Sequence, residues 1–461
     1  MDINEIIDFS KSDGEVLQQL KRKYIRVPQW SDLLKEYEGK LHDIMDKNKR
    51  PDKVKNGQRV EEVSRIRLDL EKLITARMVE FMFSVPVRRV YNGIDDDEEK
   101  QKIADTIEKI YTRNRIDSEN IKRSREFFAT CEVCTQWYSV DKKNSLYGFD
   151  SEKKISTKTF SPMSGYELYP VFDEYDDMLA MSIEYNVVNY DGSTDTYFET
   201  YTDNRHMKWK NGGKVLDEEN MLGKIPFVYM YRNRPIWEGV QHIIKEIEWT
   251  LSRNSDVIAY NASPVLAVTG EIRGAEKKGE EQRIFRLENG GNVAYVSWNQ
   301  AIEAIKFQID TLLRLMWMQI QLPDLSFENI KGLGAVSGEA RRTLLTDAHL
   351  KVGDEKGVFL EYFDREANII KAFVAKLQPS WAKKVQDIEI EHVITPFVQN
   401  DEMNEIEKWI KANGGKPIVS QLEAIKLLGV SSNPRETYNQ IREEAAEEAQ
   451  SSLNNIFQGE E

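Results

Sequence analysis

Cysteine is nearly missing from this chain of 461 residues: Cys131 and Cys134 are the only two, too close together to staple distant segments. Disulfides do not organise such a fold, and a reducing compartment suits it. A structural zinc site needs four ligands, yet the five histidines are scattered and no second cysteine pair exists, so the CEVC stretch is expected to be buried and structural. Long apolar runs are missing as well. No stretch reaches the roughly 18 residues of a membrane-spanning helix, and residues 1–20 carry no charged-then-apolar leader, which predicts synthesis in the cytosol with no membrane partner.

Positive charge is in deficit, with 64 Lys and Arg against 78 Asp and Glu and a net charge of −14. A surface that grips nucleic acid everywhere needs clustered cations, so any such contact must be local or weak. Also missing are a glycine-rich P-loop ending in Lys-Ser/Thr, a nucleophile elbow and a His-Glu-x-x-His pair, so neither an enzyme activity nor a metal or cofactor is expected. The acidic run Asp95, Asp96, Asp97, Glu98, Glu99 has two readings: a divalent-metal or acid–base cluster, or a solvated loop whose charge favours the start of the next helix.

What is present is an ordinary soluble balance of 40% hydrophobic and 31% charged residues, long enough for two to four structural regions. Apolar positions three or four apart predict helices through Val63, Ile66, Leu70, Leu73 and Ile74, and through Ile103, Ile107 and Ile110. Strand-like stretches follow at 135–140, 169–172, 181–188, 196–201 and 227–231, several bounded by Asp, Asn or Gly turns. This first region reads as α+β.

A helix is predicted over 237–261, with the apolar stripe Val240, Ile243, Ile244, Ile247 and Leu251, ending near Pro264. Two β-rich runs, VLAVTG and NVAYVSW, follow, separated by a charged stretch over 270–289. A second helix is predicted over 300–321 through Ile302, Ile305, Ile309, Leu312, Leu313 and Met316, with Pro323 ending it. Next come a glycine-containing loop and a long periodic stretch over 337–377, for which Ser337 makes an N-terminal cap. A strand is expected over 385–394 and helices from 401, with a solvated acidic end.

The order helix, small β insertion, helix, glycine-containing loop, long helix resembles that of the portal proteins of tailed bacteriophages. WSDLLKEYEGKLHDI, with Tyr37 and Gly39, looks like the family's early helix carrying a Tyr-x-Gly motif. FMFSVPV, with Ser84 where glycine is common, YELYPVFDEYDDMLAMSIEY and LGKIPFVYMYRN resemble further family segments. VSGEARRTLLTDAHLKV is similar to the Ser-Gly-x-Ala start of the family's tunnel helix, here Ser337, Gly338 and Ala340. The resemblance implies a portal fold: a mixed α/β wing over 1–236, stem helices over 237–262 and 300–321, and a small α/β clip over 263–299. It further implies a tunnel loop over 322–336, a tunnel helix with the C-terminal part of the wing over 337–400, and a helical crown with an acidic tail over 401–461.

The resemblance also implies a dodecameric ring in the virion, assembled in the host cytoplasm, through which double-stranded DNA passes. An acidic channel would repel phosphates and let the duplex slide. Asn329, Ile330, Lys331, Gly332 and Leu333 would project into the channel, and Arg273, Lys277, Lys278, Glu280 and Glu281 would lie in the clip, facing the terminase large subunit and later the head-completion or adaptor proteins. Major capsid and scaffolding proteins are the other implied partners. The bland reading of Asn329 and Lys331 is a surface loop, and that of Arg341 and Arg342 is helix-surface ion pairing. The rivals to a portal are a metal-dependent nuclease built on the acidic clusters and another virion adaptor, a class of usually much shorter chains.

Overall fold

The structure, a computed structural model, describes residues 6–7, 11–23, 25–94, 97–261, 265–269, 272–278, 282–287, 292–296, 302–324, 345–397, 402–414, 417–428 and 434–458. Its described residues divide into two units, one of residues 1–324 with 347–397 and one of residues 325–346 with 398–461.

The first unit opens with helix α1 (Asp13–Leu20), started by a reciprocal cap between Ser12 and Glu15. Helix α2 (Trp30–Tyr37) is followed by the hairpin β1 (Lys53–Lys55) and β2 (Gln58–Glu61), then α3 (Leu70–Phe83) and β3 (Arg88–Asn92). Val63 and Ile66 lie ahead of α3 in extended chain, a departure from the predicted helix whose cause is given below. Helix α4 (Glu98–Arg113) buries Ile103, Ile107 and Ile110 as their spacing predicts. Asp97 caps it, accepting from the Glu99 and Lys100 N–H at 2.9 and 3.3 Å, while Lys384 donates to the same carboxylate at 2.9 Å. That is the helix-start reading of the acidic run; Asp95 and Asp96 lie outside the described residues.

Helix α5 (Ile116–Thr130) leads into β4 (Glu132–Asn144) and β5 (Ser151–Phe160). The strands β6 (Glu167–Phe172), β7 (Met178–Val188), β8 (Thr194–Tyr201), β9 (Arg205–Lys210) and β10 (Gly213–Glu219) form an antiparallel five-stranded meander. Pro170 is tolerated inside β6 because β6 is an edge strand. Val16 and Leu20 of α1 press on this sheet among Val171, Phe198, Met207 and Trp209. Strand β11 (Phe227–Tyr231) joins β4 and β5 in a second sheet. Cys131 and Cys134 are free and buried where α5 meets β4, and burial pushes the Cys131 thiol up to about 12.

Helix α6 (Gln241–Asn261) and helix α7 (Ile302–Ile320) bracket four strands, β12 (Val265–Thr269), β13 (Ile272–Lys278), β14 (Gln282–Leu287) and β15 (Asn292–Val296). Strands β12 and β15 pair, as do β13 and β14, so the charged stretch read as a separator is itself a hairpin. Helix α8 (Thr346–Leu377) carries the core of the unit. Its Phe359 packs against Phe83 and Phe127 at ring distances of 5.0 and 5.5 Å. Arg123, wholly buried on α5, donates to both Glu366 carboxylate oxygens at 2.6 and 3.0 Å, and the Trp137 indole donates to Glu366 at 3.0 Å. A short helix α9 (Ala382–Gln386) precedes β16 (Glu389–Val393), which pairs with β3. The strand predicted over 385–394 is thus confined to 389–393, because Val385 buries itself from a helical turn instead.

The second unit holds helices α10 (Glu402–Asn413), α11 (Gln421–Leu428) and α12 (Pro434–Gln458), in agreement with the helical reading from residue 401. Glu443, Glu444 and Glu447 of α12 are exposed, as a solvated acidic end requires.

Candidate functional site

The paired helices α6 and α7 are the feature around which the sequence reading turned, and the structure shows how α6 is tied down. Residues 62–69 form an extended strap whose N–H groups find no strand partner. They donate instead to side chains of α6: Ser64 to Asp256 at 2.7 Å, Ile66 to Ser252 at 2.9 Å and Leu68 to Glu248 at 2.7 Å. Two extended residues advance about 6.6 Å. Four helical residues advance about 6.0 Å. Every second N–H of the strap therefore meets every fourth side chain of α6, and these bonds outcompete the helix that Val63 and Ile66 had suggested. Arg50, buried, adds bonds to Asp256 at 2.6 Å and to the Ser64 carbonyl at 2.9 Å.

Beneath the strap lies a buried acid–histidine cluster. His42 Nδ1 bonds Glu248 at 2.8 Å, and its Nε2 bonds the Glu36 carbonyl, so both ring nitrogens face acceptors and the ring is an imidazolium. Burial alone would depress its pKa; the bonds to Glu248 and Glu36, with the charges of Glu71 and Glu248, overcome this and bring it up to about 9. Glu71 Oε2 stands 3.9 Å from His42 Nε2 and accepts no hydrogen bond. Burial, reinforced by Glu248 and Glu36 and opposed by a backbone bond and His42, pushes it up to about 7. Trp237 donates to Glu36 at 2.8 Å and its ring lies 5.6 Å from that of Tyr37. In the Tyr-x-Gly segment, Gly39 donates its N–H to Asp69 at 3.1 Å, and a Cβ there would strike that carboxylate.

Helix α6 begins four residues later than predicted, at Gln241, after a turn in which Gly239 has φ 91°. Val240, Ile244 and Ile247 are buried as the stripe predicts, while Ile243 and Leu251 are half-buried. On α7, Met316 and Ile320 are buried, but Phe307 and Met318 are 71% and 63% exposed. On the outer face of α6, Trp249 lies between the guanidinium groups of Arg50 and Arg253, at 5.6 and 5.3 Å.

Of the site residues inferred from the sequence, Arg273, Lys277 and Lys278 fall on strand β13, with Lys277 opposite Arg283. Glu280, Glu281, Asn329, Ile330, Lys331, Gly332, Leu333, Ser337, Gly338 and Ala340 lie outside the described residues, as do Arg341 and Arg342. Helix α8 begins at Thr346, after a turn at Leu345. Among the described residues no group of three or more His, Cys, Asp or Glu could hold a metal ion, and no helix is long and apolar enough to cross a membrane. Sequence reasoning missed the cluster of His42, Glu71, Glu248, Ser252 and Asp256. Its one visible signal was a row of polar residues at spacing four beside the apolar stripe of α6.

Comparison with known proteins gives three findings. A family model described as "Phage portal protein, SPP1 Gp6-like" matches residues 13–451. Among solved structures, a chain of the virion of a native gene transfer agent particle is similar at 11% identity and a TM-score of 0.39, covering 92% of this chain and 100% of its own. A chain of the neck of the native particle, computed with C12 symmetry, is similar at 11% identity and a TM-score of 0.39, covering 89% and 96%. No curated protein sequence matches the chain.

Proposed function

Because this chain belongs to the family of phage portal proteins of the SPP1 Gp6-like kind, we propose that copies of it close into a ring, twelve in the virion, at a single vertex of the capsid. Portals are structural connectors between head and tail, and the ring's axis is the channel by which double-stranded DNA enters and leaves. The observation that carries this reading is the family match over residues 13–451. The helix pair α6 and α7 serves as the stem, the strands β12 to β15 as the clip, α8 as the tunnel helix, and α10 to α12 as the crown.

On this reading the chemistry belongs to a separate ATP-driven terminase, whose large subunit docks on the clip around Arg273, Lys277, Lys278, Glu280 and Glu281 and is later replaced by head-completion proteins. The ring aligns and retains the duplex. A net charge of −14 per copy disfavours sticking of phosphates, and Asn329 to Leu333, with Lys331 as the cation, supply brief sequence-independent contacts. Capsid and scaffolding proteins surround the ring during assembly in the host cytoplasm.

Antibody-gold labelling of assembled heads tests the placement: one label per head, always at one vertex, is expected, and labels scattered over all vertices would overturn it. Lys331→Glu tests the loop: slower packaging or leakage of packaged DNA is expected, and unchanged packaging and retention would remove the loop's role while leaving the portal reading intact.

A further inference from the structure

Five Asn-Gly steps occur in the sequence, and two of them are matched so closely that only the fold tells them apart. Lys55-Asn56-Gly57 turns the hairpin β1–β2, and Lys210-Asn211-Gly212 turns the hairpin β9–β10. Both are two-residue turns with positive φ at each central position, 53° and 78° in the first and 49° and 87° in the second. Asparagine and glycine are the residues that such turns favour. The same pair is chemically labile, because glycine has no side chain to hinder attack of its backbone nitrogen on the preceding carboxamide.

The two carboxamides are held differently. Asn211 is clamped: its Oδ1 accepts from the Thr196 N–H at 2.8 Å, and its Nδ2 donates to Asp195 at 2.8 Å. Asp195 is held in turn by Lys210 and Asn189, each at 2.8 Å, and β9 and β10 belong to the five-stranded meander. Asn56 is exposed, and among the described residues its side chain has no hydrogen-bond partner. Its hairpin is a sheet of two short strands alone, a form only marginally stable by itself. Two further steps are restrained. The Gly414 nitrogen donates to the Ile410 carbonyl at 2.9 Å, and Gly93 presses on the Asp387 carbonyl, which a Cβ would meet at 2.7 Å. The fifth, at Asn289, lies outside the described residues.

We propose that Asn56 is a site of spontaneous deamidation in the folded protein, and that Asn211 is protected by its clamp. The Gly57 nitrogen, having lost its proton to a base in solvent, attacks Cγ of Asn56. The N–Cγ bond forms, the Cγ–Nδ2 bond breaks, and ammonia leaves with the returned proton. Water then opens the succinimide at either carbonyl, giving aspartate or isoaspartate, so the balance is amide plus water to acid plus ammonia, with no oxidant or reductant. The isoaspartyl product routes the chain through Cβ and adds a backbone carbon to a turn whose geometry the ladder depends on. At the base of this hairpin Asp52 holds the strap, accepting from Arg65 at 2.7 Å and from the Val63 N–H at 3.3 Å, so the change loosens the strap at its first residues.

Peptide mapping by mass spectrometry tests this on the full-length protein, incubated in mildly alkaline water enriched in heavy oxygen. In the folded chain Asn56 is expected to convert about tenfold faster than Asn211, since freeing Asn211 breaks two hydrogen bonds, one of them to a charged group. In urea the two are expected to convert at similar rates, because their flanking Lys and Gly are the same. Equal rates in the folded chain, or conversion of Asn56 in urea alone, would overturn the inference; unequal rates in urea would place the difference in the sequence and overturn it as well. Asp195→Ala is expected to speed Asn211 and leave Asn56 unchanged, and no acceleration would contradict the clamp. Amide exchange across β1, β2 and Val63 should quicken in the aged protein but not in fresh Asn56→Asp, which adds the charge without the extra carbon. Unchanged exchange on ageing, or equal quickening in Asn56→Asp, would contradict the loosening through the backbone.

Discussion

The core around α8 and the helix pair α6–α7 solve the same problem in opposite ways. Around α8, the Arg123–Glu366 pair, Trp137 and the Phe83, Phe127 and Phe359 rings close on one another within a single copy, and Arg123 and Glu366 are 0% and 1% exposed. Along α6 the strap closes one face, while Phe307 and Met318 of α7 remain in water. The first region is closed within one copy; the second keeps an open face. Substitutions in the first should therefore cost far more stability than those on the open face.

The largest effect is expected from Glu366→Ala, which strands a wholly buried guanidinium and should cost about 3–5 kcal/mol, read as a lower urea midpoint. A loss under about 1 kcal/mol would mean the pair is not the keystone of the core. Next comes Glu248→Ala, which removes the acceptor of both His42 and the Leu68 N–H and should cost about 2–3 kcal/mol. Amide exchange should accelerate at Ser64, Ile66 and Leu68 together; acceleration at Leu68 alone would show that the strap does not act as a unit.

A smaller effect concerns pH. Glu71 titrates near 7 in the folded chain, above its ordinary range, so the fold holds a proton there that the unfolded chain has released, and stability falls as pH rises from about 4.5 to 7. His42, raised to about 9, contributes stability that is whole below about 6.5 and is lost as pH climbs through 9. Glu71→Gln should flatten the lower limb and His42→Gln the upper one in a series of denaturation curves, and an unchanged slope in either variant would remove that group from the account. The smallest effect is expected on the surface: Lys245→Ala breaks an exposed pair with Asp43 at 2.7 Å and should change stability by less than about 1 kcal/mol.

The sequence was most legible where burial follows period. The stripe of α4 and strand β11 stood where spacing and alternation put them, and the portal resemblance agreed with the family match. On α6 only Val240, Ile244 and Ile247 of the stripe are buried, and on α7 only Met316, with Ile305, Ile309, Leu312 and Leu313 half-buried. It was least legible where one segment satisfies another's backbone across the chain. Nothing near Val63 and Ile66 announces that their stretch of chain will bond to side chains some 190 residues later, as the Ser64 to Asp256 contact, with a separation of 192, does. Strands β13 and β14 were hidden by their charge, since a hairpin rich in Lys, Arg and Glu lacks the apolar alternation that marks a half-buried strand. Asp97 was legible as a helix start because N-terminal charge is a local effect, whereas the His42 cluster joins three separate segments and left only a row of polar spacings on α6.

Electron-microscope class averages of the purified full-length protein test the central claim most directly. The account predicts round particles, viewed end-on, with rotational symmetry and an open centre wide enough for a duplex. Compact particles of one copy, or closed assemblies with no central opening, at every protein concentration tried, would contradict it.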